Sequence, residues 1–534
     1  MGPAGRVSAS HVVLLGPNQQ ENLALQYLAA AARQAGHEAQ LVGFNCRSDT
    51  ANAVRAVAGI GPDVVGIAMQ FQHSIDDGLA LARALRGAGF TGHLTCGGHV
   101  ATFCYAELLR DGAFDSVVRH EGESTFTELL DALSAGKSVA GIAGLAWREH
   151  DGVVLGLPRP LVRDLDSLPW PERQPVPYLV AGIPIAFLLT SRGCTETCSY
   201  CSISAFSRDA SGPAFRLRAP GPVADEVKHL YDRGARAFFV QDDLFVLGSE
   251  SATLARVMAL TKAIRLRGVS PDSAVFWVKG RPDSVSVPVL EALRTMGTLH
   301  LFLGVESASA ERLAYLGRSH RPEDNQRAIA LCREHGIVPS FNLMLFDPDC
   351  SLEHIGETID FARQHPDLPW NVCRTEIYSG TPLYGRLKAE GRLQGDYRSY
   401  GYRMSDERAE MMFRILRVCL HERAFAFDSL LNRLISLSFA RQLHEHFFPD
   451  LATLQLSREV LDLVRAVHVD TVDILDESRA LASEPRLDPH VVRQRAVEMA
   501  LAASRRALTW YSEVDRLWNH LHVRGRSLLP SPAS

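Results

Sequence analysis

Short apolar runs alternate with helical stretches twice along this chain, and a proline-rich interval separates the two series. No other feature narrows its possible folds as far. In the first series, residues 12–15 form a short apolar strand broken by Gly16-Pro17-Asn18. Residues 21–35 are Ala/Leu-rich with helical spacing and are closed by Gly36, and strands follow at 39–42 and 63–68. A helix is expected at 75–86, a strand at 93–96 running into Gly97-Gly98, a helix at 106–110, a strand at 116–119 and a helix at 124–134. Such alternation predicts a doubly wound parallel sheet. Ligands on these sheets sit at the carboxyl ends of strands, which here carry Gly16-Pro17-Asn18, Gln70-Phe71-Gln72 and Gly97-Gly98-His99.

Residues 136–182 break the rhythm, with strand candidates at 144–148 and 153–157 and six prolines between 158 and 177. Proline removes a backbone donor and fixes φ, so an irregular linker is expected. The second series places strands at 185–190, 237–241, 275–279, 300–304, 338–346 and 371–378. Helical stretches at 223–232, 251–267, 287–296, 325–335 and 352–364 lie between them. Six strands with right-handed crossovers make an open, partial parallel barrel. From about 404 onward the pattern is helical, at 405–421, 425–444, 457–467 and 489–521, and no internal repeat is visible. The expected architecture is α/β: a Rossmann-like domain at 1–135, a linker at 136–183, a partial (β/α)6 barrel at 184–390 and a helical C-terminal domain at 391–534.

The 534 residues suit several domains of roughly 150 each. An apolar share of 46% and a charged share of 22% exclude a disordered or collagen-like chain. With 56 Lys and Arg against 61 Asp and Glu, the net charge of −5 gives no global attraction to nucleic acid or to an anionic membrane. No apolar run approaches the roughly 18 residues of a membrane span, and MGPAGRVSAS does not read as a signal peptide. Ten cysteines are too sparse for a disulfide scaffold, so a reducing, cytoplasmic setting is expected.

The most specific segment is Cys194-Thr-Glu-Thr-Cys198-Ser-Tyr-Cys201, directly after Ser191-Arg192-Gly193 and the first strand of the second series. Three thiolates within eight residues face one point only if the backbone curls around it. Soft thiolates select zinc, copper(I) or iron–sulfur clusters. Structural zinc wants four protein ligands, and the next cysteine downstream is Cys332. Three ligands to a four-iron cluster leave one iron open to a substrate atom.

This spacing, at the end of strand one of a six-stranded barrel, resembles the radical S-adenosylmethionine superfamily. The family's hallmark is three cysteines spaced by three and then two residues, with an aromatic before the third, here Tyr200. The resemblance covers about residues 184–390 and implies that Cys194, Cys198 and Cys201 hold a 4Fe-4S cluster. The open iron would chelate the methionine moiety of S-adenosylmethionine, beside Tyr200. An electron, from a donor such as flavodoxin or ferredoxin, would then release a 5′-deoxyadenosyl radical. Gln241-Asp242-Asp243 resembles the segment that binds the methionine ammonium, and carboxylates do accept charge-assisted hydrogen bonds from ammonium. Arg281, in Lys279-Gly-Arg281-Pro-Asp283, is implied for a carboxylate, and Glu306-Ser307 for ribose hydroxyls or the amino group. The same side chains also suit helix caps (Asp242, Asp243, Glu306) or an ion pair (Arg281). Gly380-Thr381-Pro382 resembles the segment that closes the barrel.

A doubly wound domain ahead of such a barrel is similar to the cobalamin-binding subclass. The matching segments are Pro17-Asn18-Gln19, residues 63–69, residues 97–102 and residues 115–123 (DSVVRHEGE). The resemblance implies cobalamin contacts from Pro17, Asn18, Gln19, Gln70, Gly97, Gly98, His99, Glu121 and Gly122. Glycines at a strand end let a large ligand approach the backbone. The Asp-x-His-x-x-Gly signature, whose histidine ligates cobalt in other cobalamin proteins, is absent. His73, His99 and His120 read as solvated or structural rather than as cobalt ligands. Cys46, Cys96 and Cys104 lack the spacing of a methylthiotransferase's second cluster, and Cys332, Cys373 and Cys419 read as core.

Both resemblances together imply a cobalamin-dependent radical S-adenosylmethionine methyltransferase acting on an unactivated carbon of a small metabolite or natural-product intermediate. Oxidative cyclisation, as in the magnesium-protoporphyrin ester cyclase, or ring rearrangement is the alternative reaction. A non-catalytic cobalamin-binding sensor is the alternative class. The expected partners are a small-molecule substrate and the electron donor, without nucleic acid or membrane.

Overall fold

The computed structural model describes residues 9–528 apart from 151, 176, 427 and 485–487, so most of the opening segment read against a signal peptide lies outside the described residues. The chain divides into two compact units. One comprises Met1–Val176, Ser191–Ala219 and Glu376–Gly401, and the other Pro177–Thr190, Pro220–Thr375 and Tyr402–Ser534.

The first unit is built on a seven-stranded sheet in the order Glu38–Gly43, His11–Gly16, Val64–Ala68, His93–Gly97, Ser116–Val118, Leu145–Glu149, Gly152–Leu155. The first five strands are parallel. Their apolar runs follow from burial on both faces. Val13, Leu15, Val65 and Ile67 pack on one face with Ile75, Leu79 and Leu108. Val12, Leu14 and Val64 pack on the other with Leu25, Ala29, Phe126 and Leu129. The period-two alternation of one apolar run thus fills two cores. The two strands in the proline-rich stretch pair antiparallel on the Ser116–Val118 edge and bury Leu145 and Trp147. Helix Thr50–Ile60 has no counterpart in the sequence reading, and neither do His99–Phe103, Ser202–Asp209 and Pro382–Ala389. Thr50–Ile60 ends where Gly61, at φ 64°, donates its N–H to the Val57 carbonyl.

The second unit carries the partial barrel. Strands Ile183–Leu188, Ala237–Val240, Val275–Gly280, Thr298–Glu306, Val338–Phe346 and Trp370–Arg374 are all parallel, each beside the next in sequence, and Tyr178–Val180 closes one edge antiparallel. Six parallel strands were expected and six are present. Phe238, Phe276, Val278, Leu301, Leu303, Phe341 and Leu343 form the fully buried face. The alternate positions Phe239, Trp277, Lys279, Phe302, Gly304, Glu306 and Asn342 are only half-buried.

The helical tail plugs the amino-terminal end of that second face. From helix Leu430–Phe447, the Phe439 ring meets Phe239 at 4.7 Å and His300 at 5.8 Å. His300 lies 3.1 Å from Gln442 Oε1 and 2.6 Å from Ser340 Oγ. Two longer helices follow, Leu451–Ser483 and Pro489–Leu528. The first extends well beyond the expected 457–467, because Val472, Leu475 and Leu481 keep the buried helical spacing past Val467. No helix among the described residues is long and apolar enough to cross a membrane.

Burial pushes His300 down to about 4, so it is neutral when folded and titrates near 6.5 when unfolded. Between those values the unfolded chain binds more protons, and stability falls as pH falls. The loss from this residue is about 2 kcal/mol by pH 5. Urea unfolding followed by tryptophan fluorescence, with Trp277 5.5 Å from His300, checks it. The drop between pH 7.5 and pH 5 should be smaller in His300→Gln than in the unchanged protein.

Candidate cofactor sites

The cysteine loop lies in the first unit. Strand Ser191–Gly193 pairs antiparallel with Phe215–Leu217 and leads into it. Gly193 sits at φ 84°, and a Cβ there would lie 1.8 Å from the Ala214 carbonyl oxygen, so only glycine fits. Cys198 is buried and Cys194 and Cys201 are half-buried. Cys201 is the residue before helix Ser202–Asp209. The loop is pinned on both sides. The Glu196 carbonyl accepts from Ser204 Oγ at 2.9 Å and Arg208 Nη2 at 2.7 Å, and the Ser199 carbonyl accepts from Leu383 N at 2.8 Å, just past Gly380-Thr381-Pro382.

Among the described residues, no three His, Cys, Asp or Glu side chains converge on one metal-ion position. An iron–sulfur cube takes one thiolate on each of three corners, so soft donors spread around a curled loop suit it. The donor chemistry of three thiolates fits such a cluster.

The loop is tied to the sheet by charge and by rings. Arg192 Nη2 donates to Glu123 Oε1 at 2.6 Å and Arg192 Nη1 to Glu121 Oε1 at 3.4 Å, while Arg216 Nη1 donates to Glu121 Oε2 at 2.8 Å. Burial alone would raise the Glu123 carboxyl, but the charge and hydrogen bond of Arg192 outweigh it and hold it below the usual carboxylate range. Phe206, on the helix after Cys201, packs against the rings of His99 at 4.3 Å and His120 at 5.0 Å. Asp209 receives Arg119 and His120, each at 3.0 Å. Burial, reinforced by His120, pushes His99 down to about 4.

At the carboxyl ends of the same sheet, Pro17, Asn18, Gln19 and Gln70 are exposed. Asn18 is fixed by Asn45, through Asn18 N to Asn45 Oδ1 and Asn45 Nδ2 to Asn18 Oδ1, both 3.0 Å. Gly97 ends its strand, and Gly98 adopts φ 117°, where a Cβ would lie 2.5 Å from the Met69 carbonyl oxygen. These bare strand ends are the kind of cradle a broad planar ligand needs. Glu121 and Gly122 are placed differently. The Glu121 carboxylate is engaged by the two arginines, and a Cβ on Gly122 would meet Leu28 at 3.0 Å and Val118 at 3.3 Å.

In the second unit, the half-buried sheet face carries Gln241, Lys279 and Glu306 toward the carboxyl ends of their strands. Lys279 Nζ donates to Gln241 Oε1 at 3.4 Å, and burial pushes this lysine down while Asp243 and Asp242 oppose. Asp242 has no exposed surface. It accepts from Thr190 N at 2.6 Å, Thr190 Oγ1 at 2.5 Å and Arg256 Nη2 at 2.5 Å, so it braces the end of the first strand, and Asp243 is the exposed acid of the pair. Arg281 is buried and grips Asp283 bidentately at 2.9 and 2.7 Å. Ser307 is buried, 3.3 Å from Thr358 Oγ1. Glu306 ends its strand at φ 65°, a strained conformation for a residue with a side chain. A Cβ on Gly304 would lie 3.2 Å from Glu306 Oε1, so that glycine leaves room for the acid. Lys279, Arg192, Glu123 and Phe206 were not singled out from sequence. For Lys279 a signal existed, since it shares the alternating face of Trp277.

The B12 binding domain family matches residues 12–130, and the Radical SAM superfamily matches residues 188–362. The chain joins a B12-binding domain to a radical SAM domain. It is 28% identical over 349 residues to an uncharacterised methyltransferase of Pyrococcus horikoshii, covering 64% of this chain and 73% of that protein. It is 30% identical over 285 residues to the anaerobic magnesium-protoporphyrin IX monomethyl ester cyclase of Rubrivivax gelatinosus, covering 51% of this chain and about half (49%) of the cyclase. The solved structure of OxsB, a cobalamin-dependent S-adenosylmethionine radical enzyme with aqua-cobalamin and S-adenosylmethionine bound, superposes with a TM-score of 0.67. That likeness covers 98% of this chain and 84% of OxsB at 14% identity, and it speaks for the fold alone.

Proposed function

We propose that this B12-binding radical SAM protein transfers a methyl group to an unactivated carbon of a small molecule. The observation that carries the reading is the cysteine loop: three thiols on a curled, doubly pinned segment, inside a chain that pairs the two matched domains. When bound, the cluster and cobalamin would supply the electron that cleaves S-adenosylmethionine and the methyl group that is transferred. The chain's own work is holding and orienting. Cys194, Cys198 and Cys201 are the cluster ligands. Tyr200, Gln241, Asp243, Arg281, Glu306 and Ser307 orient S-adenosylmethionine, with Asp242 bracing from behind. Pro17, Asn18, Gln19, Gln70, Gly97, Gly98 and His99 present the corrin surface. A flavodoxin or ferredoxin in a reducing cytoplasm would provide the electron.

Methylation is preferred to cyclisation because the methyltransferase relative is matched over more of both chains than the cyclase. Anaerobic reconstitution tests the reading. Bound iron and cobalamin, 5′-deoxyadenosine formation and a product heavier by one methylene are expected. A product that has lost hydrogen or gained oxygen would establish the cyclase reaction instead. Cobalamin uptake with no 5′-deoxyadenosine under reducing conditions would leave only a corrinoid sensor.

A further inference from the structure

A buried cluster of four charges links the B12-binding domain to the cysteine loop. Glu121 and Glu123 follow the strand Ser116–Val118, and Arg192 and Arg216 face them from the paired strands that flank the loop. Arg192 reaches both carboxylates, and Arg216 reaches Glu121 and the Val162 carbonyl at 2.9 Å. The side chains of Glu121, Glu123, Arg192 and Arg216 are 9, 7, 16 and 5% exposed. Two cations and two anions balance in a space shielded from water. Burying such charges costs several kcal/mol per ion, about as much as their attraction returns, so an apolar replacement would serve stability equally well. Stability alone therefore does not account for the network. Its location is more informative, because Arg192 is two residues before Cys194, at most about 7 Å along the backbone.

We propose that Glu121, Glu123, Arg192 and Arg216 are positioning residues that seat the cluster-bearing loop on the B12-binding domain and fix the net charge beside Cys194. The inference rests on the assignment of the three cysteines as cluster ligands. Removing one member leaves its partner's charge uncompensated where the dielectric is low, and a fixed charge there biases the one-electron reduction of the cluster. In Glu123→Gln a positive charge is left over, which favours the reduced, more negative cluster. In Arg192→Gln a negative charge is left over, which favours the oxidised one.

The test is an anaerobic redox titration of reconstituted protein followed by electron paramagnetic resonance, with iron and cobalamin content measured alongside. The midpoint potential should rise in Glu123→Gln, fall in Arg192→Gln and return close to the starting value in the double variant. A general loosening of structure would move both single variants the same way. If one single variant does not fold, the other measured against the double variant reads the same sign. A variant that folds and binds cobalamin but no longer retains iron also supports the positioning role. Equal potentials, or shifts of one sign in both single variants, overturn it while leaving the cluster assignment intact. An iron-free unchanged protein overturns the cluster assignment, and this inference with it.

Discussion

Cys198→Ala protein reconstituted without oxygen is expected to bind cobalamin normally but to hold no cluster and to form 5′-deoxyadenosine only at background level. Cys198 is the most buried thiol of the three, 5% exposed, so solvent or a neighbouring side chain has little access to replace it. Three thiolates are the whole donor set of the loop, and two leave a second iron without a protein ligand. The loop's backbone is held at points away from this sulfur. These are Gly193 against Ala214, Ser204 and Arg208 on the Glu196 carbonyl, and Leu383 on the Ser199 carbonyl. Removing one sulfur from a partly packed site costs on the order of 1 kcal/mol, which a domain of this size tolerates. Iron analysis and the visible absorbance spectrum read the result. Iron at the level of the unchanged protein would contradict the ligand assignment.

Much of the fold is legible in the sequence because a parallel sheet buried on both faces writes itself as short apolar runs, and helices between them write the other period. Val12-Val13-Leu14-Leu15 shows both the strand and its double burial. Helix Thr50–Ile60 was not legible, since its Ala and Val spacing leaves only Ala53 and Val57 buried and marks its face weakly. The cysteine loop is legible at once, because its chemistry lies within eight consecutive residues. What sequence could not show is orientation. Asp242 and Asp243 are neighbours of one type, yet the first is sealed against Thr190 and Arg256 and the second is exposed. Glu121 sits in a segment that reads as part of a corrin face, but its carboxylate is held by arginines 71 and 95 residues away. Charge pairing across such distances leaves no local pattern.

Gly98→Val should have the opposite selectivity to Cys198→Ala, weakening cobalamin binding while the cluster and uncoupled cleavage of S-adenosylmethionine persist. Gly98 adopts φ 117° and ψ −178°, a region essentially closed to residues with a Cβ. The added Cβ would also lie 2.5 Å from the Met69 carbonyl oxygen, which is backbone and cannot swing aside. Relief requires parting two strand ends that are joined where Met69 N donates to the Gly97 carbonyl at 2.7 Å. Gln70, next to Met69, moves with them, so the bare surface proposed for a corrin is lost. Backbone strain of this kind is worth about 1–3 kcal/mol. If it falls on the binding-competent shape, cobalamin affinity drops roughly 5- to 150-fold. The strand interior is spared, because the core residues Val65, Ile67 and Leu94 lie below the altered turn. Equilibrium binding of hydroxocobalamin, followed by absorbance, reports the first effect, and iron content with 5′-deoxyadenosine yield reports the second. Gly98→Ala carries the same φ penalty with less bulk and should fall between. Simultaneous loss of cobalamin, iron and cleavage would mean that this turn also holds the cysteine loop in place, through the His99 ring that packs on Phe206.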